Sequence, residues 1–313
     1  MSITDLSAFI ASHTKNELLI FISAPLQTIF ICTEILLSNL HDRKFYSIKD
    51  TITNLYLMVL NFGLDILLLA VITLPILTWA CQYHLFTINN SMVYWLVLLV
   101  AEDFMFYWEH YFDHRIRFFW AVHATHHSSD FYNLTVGFRS SVFQPLYRFI
   151  YFLPLALMGF KALDIMFMYS FTQIYGILIH TQGVNKLGFL EHILATPSHH
   201  RVHHASNTKY LDKNMGMVFI FWDKLFGTFQ SELPESEYQK IEYGLTHKLA
   251  NTGPVNTVFH EFIAIADDWK RNVDFKTKLR YTFMPPGWSH DGSRQTSKEL
   301  QAEELLAEQI NKL

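Results

Sequence analysis

The chain is 313 residues long, half of them apolar, with 17% charged residues and a formal net charge of −4. That balance excludes a basic surface for nucleic acid, and the charges are crowded into a few segments, leaving long stretches whose natural solvent is a bilayer. The two cysteines, Cys32 and Cys81, fall in apolar segments and read as small buried hydrophobes rather than as a disulfide framework.

The N-terminal segment 1–16 lacks the basic and then apolar pattern of a cleaved signal peptide. Apolar stretches next predict membrane helices at about 17–38, 51–82, 91–108, 142–160 and 162–181. The second is longer than the ~20 residues one crossing needs, and reads as a single tilted crossing kinked near Pro75. Lys and Arg gather in 41–50 and 109–141, whereas the link 83–90 has none and the turn GFKALD (159–164) has one. The positive-inside rule then puts the N-terminus outside and 41–50, 109–141 and everything after about residue 182 in the cytosol. From 231 onward the chain turns polar, and SKELQAEELLAEQINKL (297–313) predicts an amphipathic terminal helix.

Histidines dominate the middle of the chain. WEHYFDHR supplies His110 and His114, AVHATHHSS supplies His123, His126 and His127, and SHHRVHH supplies His200, His203 and His204. Residues three and four apart share a helical face, so each cluster presents its rings in one direction. The charge-derived topology puts all three on one side of the membrane, and His180, at the end of the fifth segment, returns to that side. Nine histidines are too many for one tetrahedral zinc and suit two metals with four or five imidazoles each. Without cysteine or a clear carboxylate set among them, neither a thiolate site nor a carboxylate-type di-iron bundle fits. Asp103 lies seven residues before His110, on the same helical face, and is a candidate acceptor for an imidazole N–H. Glu109 and Asp113 read as solvated interfacial acids. His13, His41, His84, His247, His260 and His290 read as ordinary solitary histidines, while His192 and His199 fit either role. Tyr107, Trp108, Phe118, Phe119, Trp120, Trp222, Phe226 and Phe229 read as an interfacial aromatic belt.

The boxes HYFDH, HATHH and HRVHH, the first two separated only by RIRFFWAV, resemble the fatty acid hydroxylase and sterol desaturase superfamily of membrane oxygenases over roughly residues 90–230. The likeness is greatest to the branch containing alkylglycerol monooxygenase, through 118–141, 180–207 and 212–229. It implies two Fe ions held by His110, His114, His123, His126, His127, His180, His200, His203 and His204, with O2 as co-substrate and a lipid C–H bond as target. Tetrahydrobiopterin serves as reductant in the ether-cleaving enzymes, which place a glutamate directly after the second histidine of the first box. Here that position is Arg115.

The expected architecture is therefore all-α. An N-terminal segment (1–16), N-terminal transmembrane helices (17–82), a membrane catalytic domain (83–230) carrying the di-metal site on its cytosolic face, and a polar cytosolic tail (231–313) follow one another. An unactivated methylene has neither acidic proton nor leaving group, so acid–base or nucleophilic catalysis has no purchase on it and a redox metal with O2 is required. No haem or flavin motif is present, which implies an external reductant, a pterin or an electron-donor protein. The partners expected are the bilayer and a lipid substrate within it. Two alternatives stand beside hydroxylation. A desaturase would share the site, and a membrane metal transporter or metal-binding storage protein would instead need ligands along a path through the membrane.

Overall fold

A computed structural model describes residues 15–311; His13 and most of the N-terminal segment lie outside the described residues. The described residues form helices and loops, with two isolated β-bridges, Leu194 to Phe219 and Ala205 to Tyr243. Helix α1 is Lys15–Leu40, α2 is Ile48–Cys81 and α3 is Ser91–Arg115, and these three are long and apolar enough to cross a membrane. Their outward side chains, among them Phe21, Ile29, Val59 and Val71, are apolar and exposed, as lipid contact requires. Cys32 belongs to this exposed surface of α1 rather than to a core, and Cys81 is half-buried with its thiol on the Phe160 carbonyl.

In α2 the kink expected near Pro75 takes the form of a π-helical turn, Leu69–Thr73, immediately before it. A proline lacks the N–H and collides with the carbonyl four residues back; widening the preceding turn accommodates both. The fourth and fifth segments form a hairpin of α5, Pro145–Leu157, and α6, Ala162–Leu178. These helices are shorter than a full crossing needs, yet their turn reaches the link between α2 and α3. The Leu85 N–H donates to the Leu157 carbonyl (2.8 Å), and the Lys161 N–H to the Tyr94 hydroxyl (2.9 Å). Leu77, Leu98, Phe152, Leu155 and Ile165 fill the core at that end.

The histidines occupy the opposite end. Asn90 caps α3 by accepting the Val93 N–H, and His110 lies 16 residues beyond Tyr94, about 24 Å along the axis. Ile116, in extended conformation, breaks α3 and starts α4, Arg117–His127, which doubles back against it. A short helix α7, Pro197–His203, begins at a Thr196 capping box. Helix α8, Phe221–Phe226, closes a strap of chain over the site. The tail is folded: α9, Pro254–Trp269, packs on α4, α10, Phe275–Phe283, follows it, and α11, Ser297–Ile310, is the expected terminal helix.

Candidate metal centre

The nine box histidines converge into two groups. His110, His114, His123, His127 and His203 form one, and His126, His180, His200 and His204 the other; within each group, one ligand atom per residue lies within 4.8 Å of the rest. Helical spacing supplies His110/His114, His123/His127 and His200/His204 as single faces. The division cuts across the sequence boxes, since His126 parts from its neighbours and His203 from His200 and His204. The groups adjoin: the His127 and His204 rings stack at 4.4 Å.

Hydrogen positions follow from what lies behind each ring. His110 Nδ1 faces the Met215 carbonyl (2.8 Å), His203 Nδ1 that of Lys213 (2.9 Å), His126 Nδ1 that of Arg139 (3.1 Å) and His180 Nδ1 that of Gly176 (2.6 Å). A carbonyl only accepts, so each Nδ1 carries the hydrogen and each Nε2 of the neutral ring is a bare lone pair. Yet the Nε2 atoms of His126 and His180 are 3.3 Å apart. Facing lone pairs at that distance repel unless a cation lies between them. The Nε2 atoms of His114 and His203 are likewise buried without any hydrogen-bond partner.

The spacings fit an ion. Two nitrogens each about 2.1 Å from one metal, at octahedral to tetrahedral angles, stand about 3.0–3.4 Å apart. The Nε2 separations are 3.1 Å for His110 with His123, 3.2 Å for His123 with His127, 3.1 Å for His180 with His204 and 2.9 Å for His180 with His200. The residues present therefore suit metal ions with all-nitrogen ligation, chemistry open to iron, copper or zinc. Burial, with the neighbouring imidazoles adding to it, holds His123, His126, His127, His200, His203 and His204 well below the ordinary histidine value, and burial brings His180 down to about 4. The rings are neutral ligands at physiological pH.

The carboxylates are placed differently from the sequence expectation. Asp103 is fully buried but accepts from the Val218 and Phe219 N–H groups (2.8 and 3.0 Å) and from Trp222 Nε1 (3.1 Å), not from an imidazole. It acts at one remove. With Asp223, which takes the Met215 and Gly216 N–H groups, it fixes the strap 212–219 whose carbonyls orient His110 and His203. Glu109 and Asp113 are buried rather than solvated. Asp113 accepts from Tyr147 and Gln144, and its Oδ2 lies 3.7 Å from His123 Nδ1; Glu109 is paired with Arg148 at 3.1 Å. Asp212, which sequence reasoning missed, lies 3.3 Å from His114 Nδ1 and 3.1 Å from Arg115 Nη1. The residue that departs from the family pattern thus balances a carboxylate behind a box histidine.

Elsewhere the structure closes ranks around the groups. Trp120, assigned to the belt, has its ring centroid 5.2 Å from that of His114, and Tyr132 has its own 5.2 Å from that of His204. Glu34, inside the first span, accepts from Tyr46, from Thr181 beside His180, and from the Leu134 N–H. At Gly137 a Cβ would meet the Ile177 Cα at 2.9 Å and His180 Nδ1 at 3.2 Å, which accounts for glycine there. His199 bonds Glu191 (3.3 Å) outside both groups, His192 is exposed, and His41, His84 and His260 each bond a nearby backbone carbonyl.

Residues 95–228 match the family model "Fatty acid hydroxylase". The chain is 40% identical over 208 residues to alkylglycerol monooxygenase of Homo sapiens, covering 66% of this chain and 45% of that protein. It is 38% identical over 200 residues to the Xenopus tropicalis protein of the same name, with 64% and 43% covered. A Delta(7)-sterol 5(6)-desaturase of Gibberella zeae is 28% identical over 180 residues, with 52% of each chain covered. The chain spans less than half the length of the two alkylglycerol monooxygenases. No solved structure matches.

Proposed function

We propose, for a chain whose residues 95–228 match the fatty acid hydroxylase family model, that it is a membrane-bound oxygenase which uses O2 to hydroxylate a C–H bond of a lipid. The reading assigns one iron to His110, His114, His123, His127 and His203 and a second to His126, His180, His200 and His204. The observation that carries it is the set of buried Nε2 lone pairs turned towards one another, His126 against His180 above all. Iron bound there supplies the one-electron chemistry with O2 that no side chain of the chain possesses.

The protein's own contribution is positional. The Met215, Lys213, Arg139 and Gly176 carbonyls hold Nδ1 protons on four rings and so aim their Nε2 atoms inward. Asp212 stands behind His114 within hydrogen-bond distance, and Asp113 places its charge 3.7 Å behind His123. Trp120 and Tyr132 wall the groups, and burial keeps water away from them. The centre lies at the mouth of the spans, on the side the lysines and arginines assign to the cytosol. A bilayer-dissolved acyl, sterol or alkylglycerol chain reaches it from between the helices, and electrons arrive from the aqueous side through a pterin or a donor protein. Residues 83–230 form the catalytic domain in this reading.

Elemental analysis of protein purified anaerobically in detergent tests the centre, comparing wild type with His203→Ala and His200→Ala. Iron present in the wild type and diminished in each variant is the expected result; iron-free protein after iron-replete expression overturns it. Isotopically labelled O2 with an alkylglycerol, a fatty acyl lipid and a sterol tests the reaction. Label in the product supports hydroxylation, whereas a new double bond without label makes the chain a desaturase.

A further inference from the structure

The polar tail carries two apolar stripes that its own fold leaves bare. Helix α9 exposes Val255, Phe259 and Ile263, and α10 exposes Phe275, Leu279 and Phe283, each set at intervals of four residues and so along one helical face. The opposite faces are committed to the protein. Thr257 and Val258 are buried, Glu261 and Asp268 bind Arg117 of α4 at 2.7 and 2.6 Å, and the Tyr281 carbonyl accepts from the same guanidinium. Phe118 of α4 joins the stripes, its ring centroid 6.3 Å from that of Phe262 and 6.4 Å from that of Phe283. A contiguous apolar face of this kind marks an interaction surface.

Its position identifies the occupant. Lys49, at the start of α2, donates to Thr252 (2.8 Å), and Phe143, two residues before α5, has its ring centroid 5.6 Å from both Phe259 and Phe262. The α9 segment therefore runs past the points where α2 and α5 enter the apolar layer. Charge points the same way, because residues 272–283 hold Lys276, Lys278 and Arg280 against the single acid Asp274 in a chain whose net charge is −4. A second copy would bring the same cations into opposition, whereas anionic headgroups complement them. We infer that α9 and α10 form an in-plane anchor, their stripes seated in the headgroup layer of the leaflet on the histidine side and held there by anionic lipid. The tail expected to be solvated would then bind α4, with three of the nine histidines, to the membrane surface.

The inference rests on the spanning orientation proposed above, and spin-label depth measurements separate the two. In the full chain, with Cys32 and Cys81 replaced by Ser, single nitroxides are placed at exposed positions by Ile263→Cys, Phe283→Cys, Val71→Cys and Ala302→Cys. The proteins are reconstituted in vesicles of phosphatidylcholine with phosphatidylglycerol. The expected ratio of collisions with O2 to collisions with a water-soluble nickel chelate is several-fold higher at 263 and 283 than at 302, and highest at 71. Adding Lys276→Glu and Arg280→Glu should bring the ratio at 283 down towards that at 302. Lipid-like behaviour at 71 with water-like behaviour at 263 and 283 overturns the anchor and leaves the spans intact; water-like behaviour at 71 as well overturns the spanning orientation itself. Dipolar broadening at 263 that disappears on dilution with unlabelled protein overturns the anchor in favour of a second copy.

Discussion

Asp113 and His114 are neighbours in sequence that serve different rings. Asp113 places its charge 3.7 Å behind His123, while His114 has a hydrogen-bond acceptor in Asp212, about a hundred residues away in the chain. Replacing such a partner leaves every proposed ligand in place but removes what aims it, at a typical cost of about 10–100-fold in metal affinity or activity. Asp113→Asn is expected to lower the proposed lipid hydroxylation by about that factor, with the chain still folded. Steady-state turnover and iron per chain measure it, and wild-type turnover would deny Asp113 the role. The imidazoles make a second prediction. His123, His126, His127, His180, His200, His203 and His204 are held below their ordinary value by burial, so between the native and unfolded values the unfolded chain binds more protons. Stability of the metal-free protein is therefore full above the unfolded histidine value of 6.5 and falls as pH drops below it through the lowered native values, that of His180 being about 4. An imidazole protonated only in the unfolded chain contributes at most about 1.4 kcal/mol per pH unit inside that window. Thermal unfolding of chelator-treated protein across this range should show a midpoint that is flat above neutrality and declines below it; a midpoint that rises on acidification contradicts the burial argument.

Helices and their ends show how far the sequence could be read. The HxxxH and HxxHH spacings announce ring-bearing faces because helical geometry alone brings i, i+3 and i+4 together, and those faces formed. What supports them is mostly silent in sequence: the carbonyls of Arg139, Gly176, Lys213 and Met215 carry no side-chain signature. The strap that presents two of them depends on Asp212 and Asn214 adopting left-handed backbone, φ 53° and 55°. Glu109 and Asp113 looked solvated because their counter-groups, Arg148, Gln144 and Tyr147, sit on another helix more than thirty residues away. The tail looked solvated because its apolar residues are spread through a polar composition. Arg117 shows otherwise, for it is buried between Glu261 and Asp268 of α9. Removing one member of a buried ion pair strands the others, and Arg117→Ala is expected to destabilise the protein by about 3–5 kcal/mol. Adding Asp268→Ala to it should cost less than the sum of the two single changes. Chemical unfolding of the three variants in detergent reads this, and strict additivity would mean that the pair is not coupled.

At the scale of the molecule the bundle has two ends of opposite character. One is the dry core of Leu77, Leu98, Phe152 and Leu155 beneath the α2–α3 link and the α5–α6 turn; the other is the histidine centre, its strap and the tail helices. Among the described residues three helices are long enough to cross alone, and the shorter hairpin is tied at its turn to the α2–α3 link. Whether or not each of its arms counts as a crossing, the chain enters and leaves the hairpin at the histidine end. The side on which His180 sits is therefore independent of the number of spans. The proposed orientation turns that end to the cytosol, because 41–50 and 109–141 are rich in Lys and Arg whereas 83–90 has neither. A membrane-impermeant maleimide on intact cells makes the orientation measurable, in a chain with Cys32 and Cys81 changed to Ser. Lys161→Cys, at the hairpin turn, should be labelled from outside, and Ala302→Cys, on α11, only after the membrane is opened. The reverse pattern would invert the proposed orientation. Equal labelling of both positions in intact cells would remove the barrier between the two ends, and with it the proposed orientation.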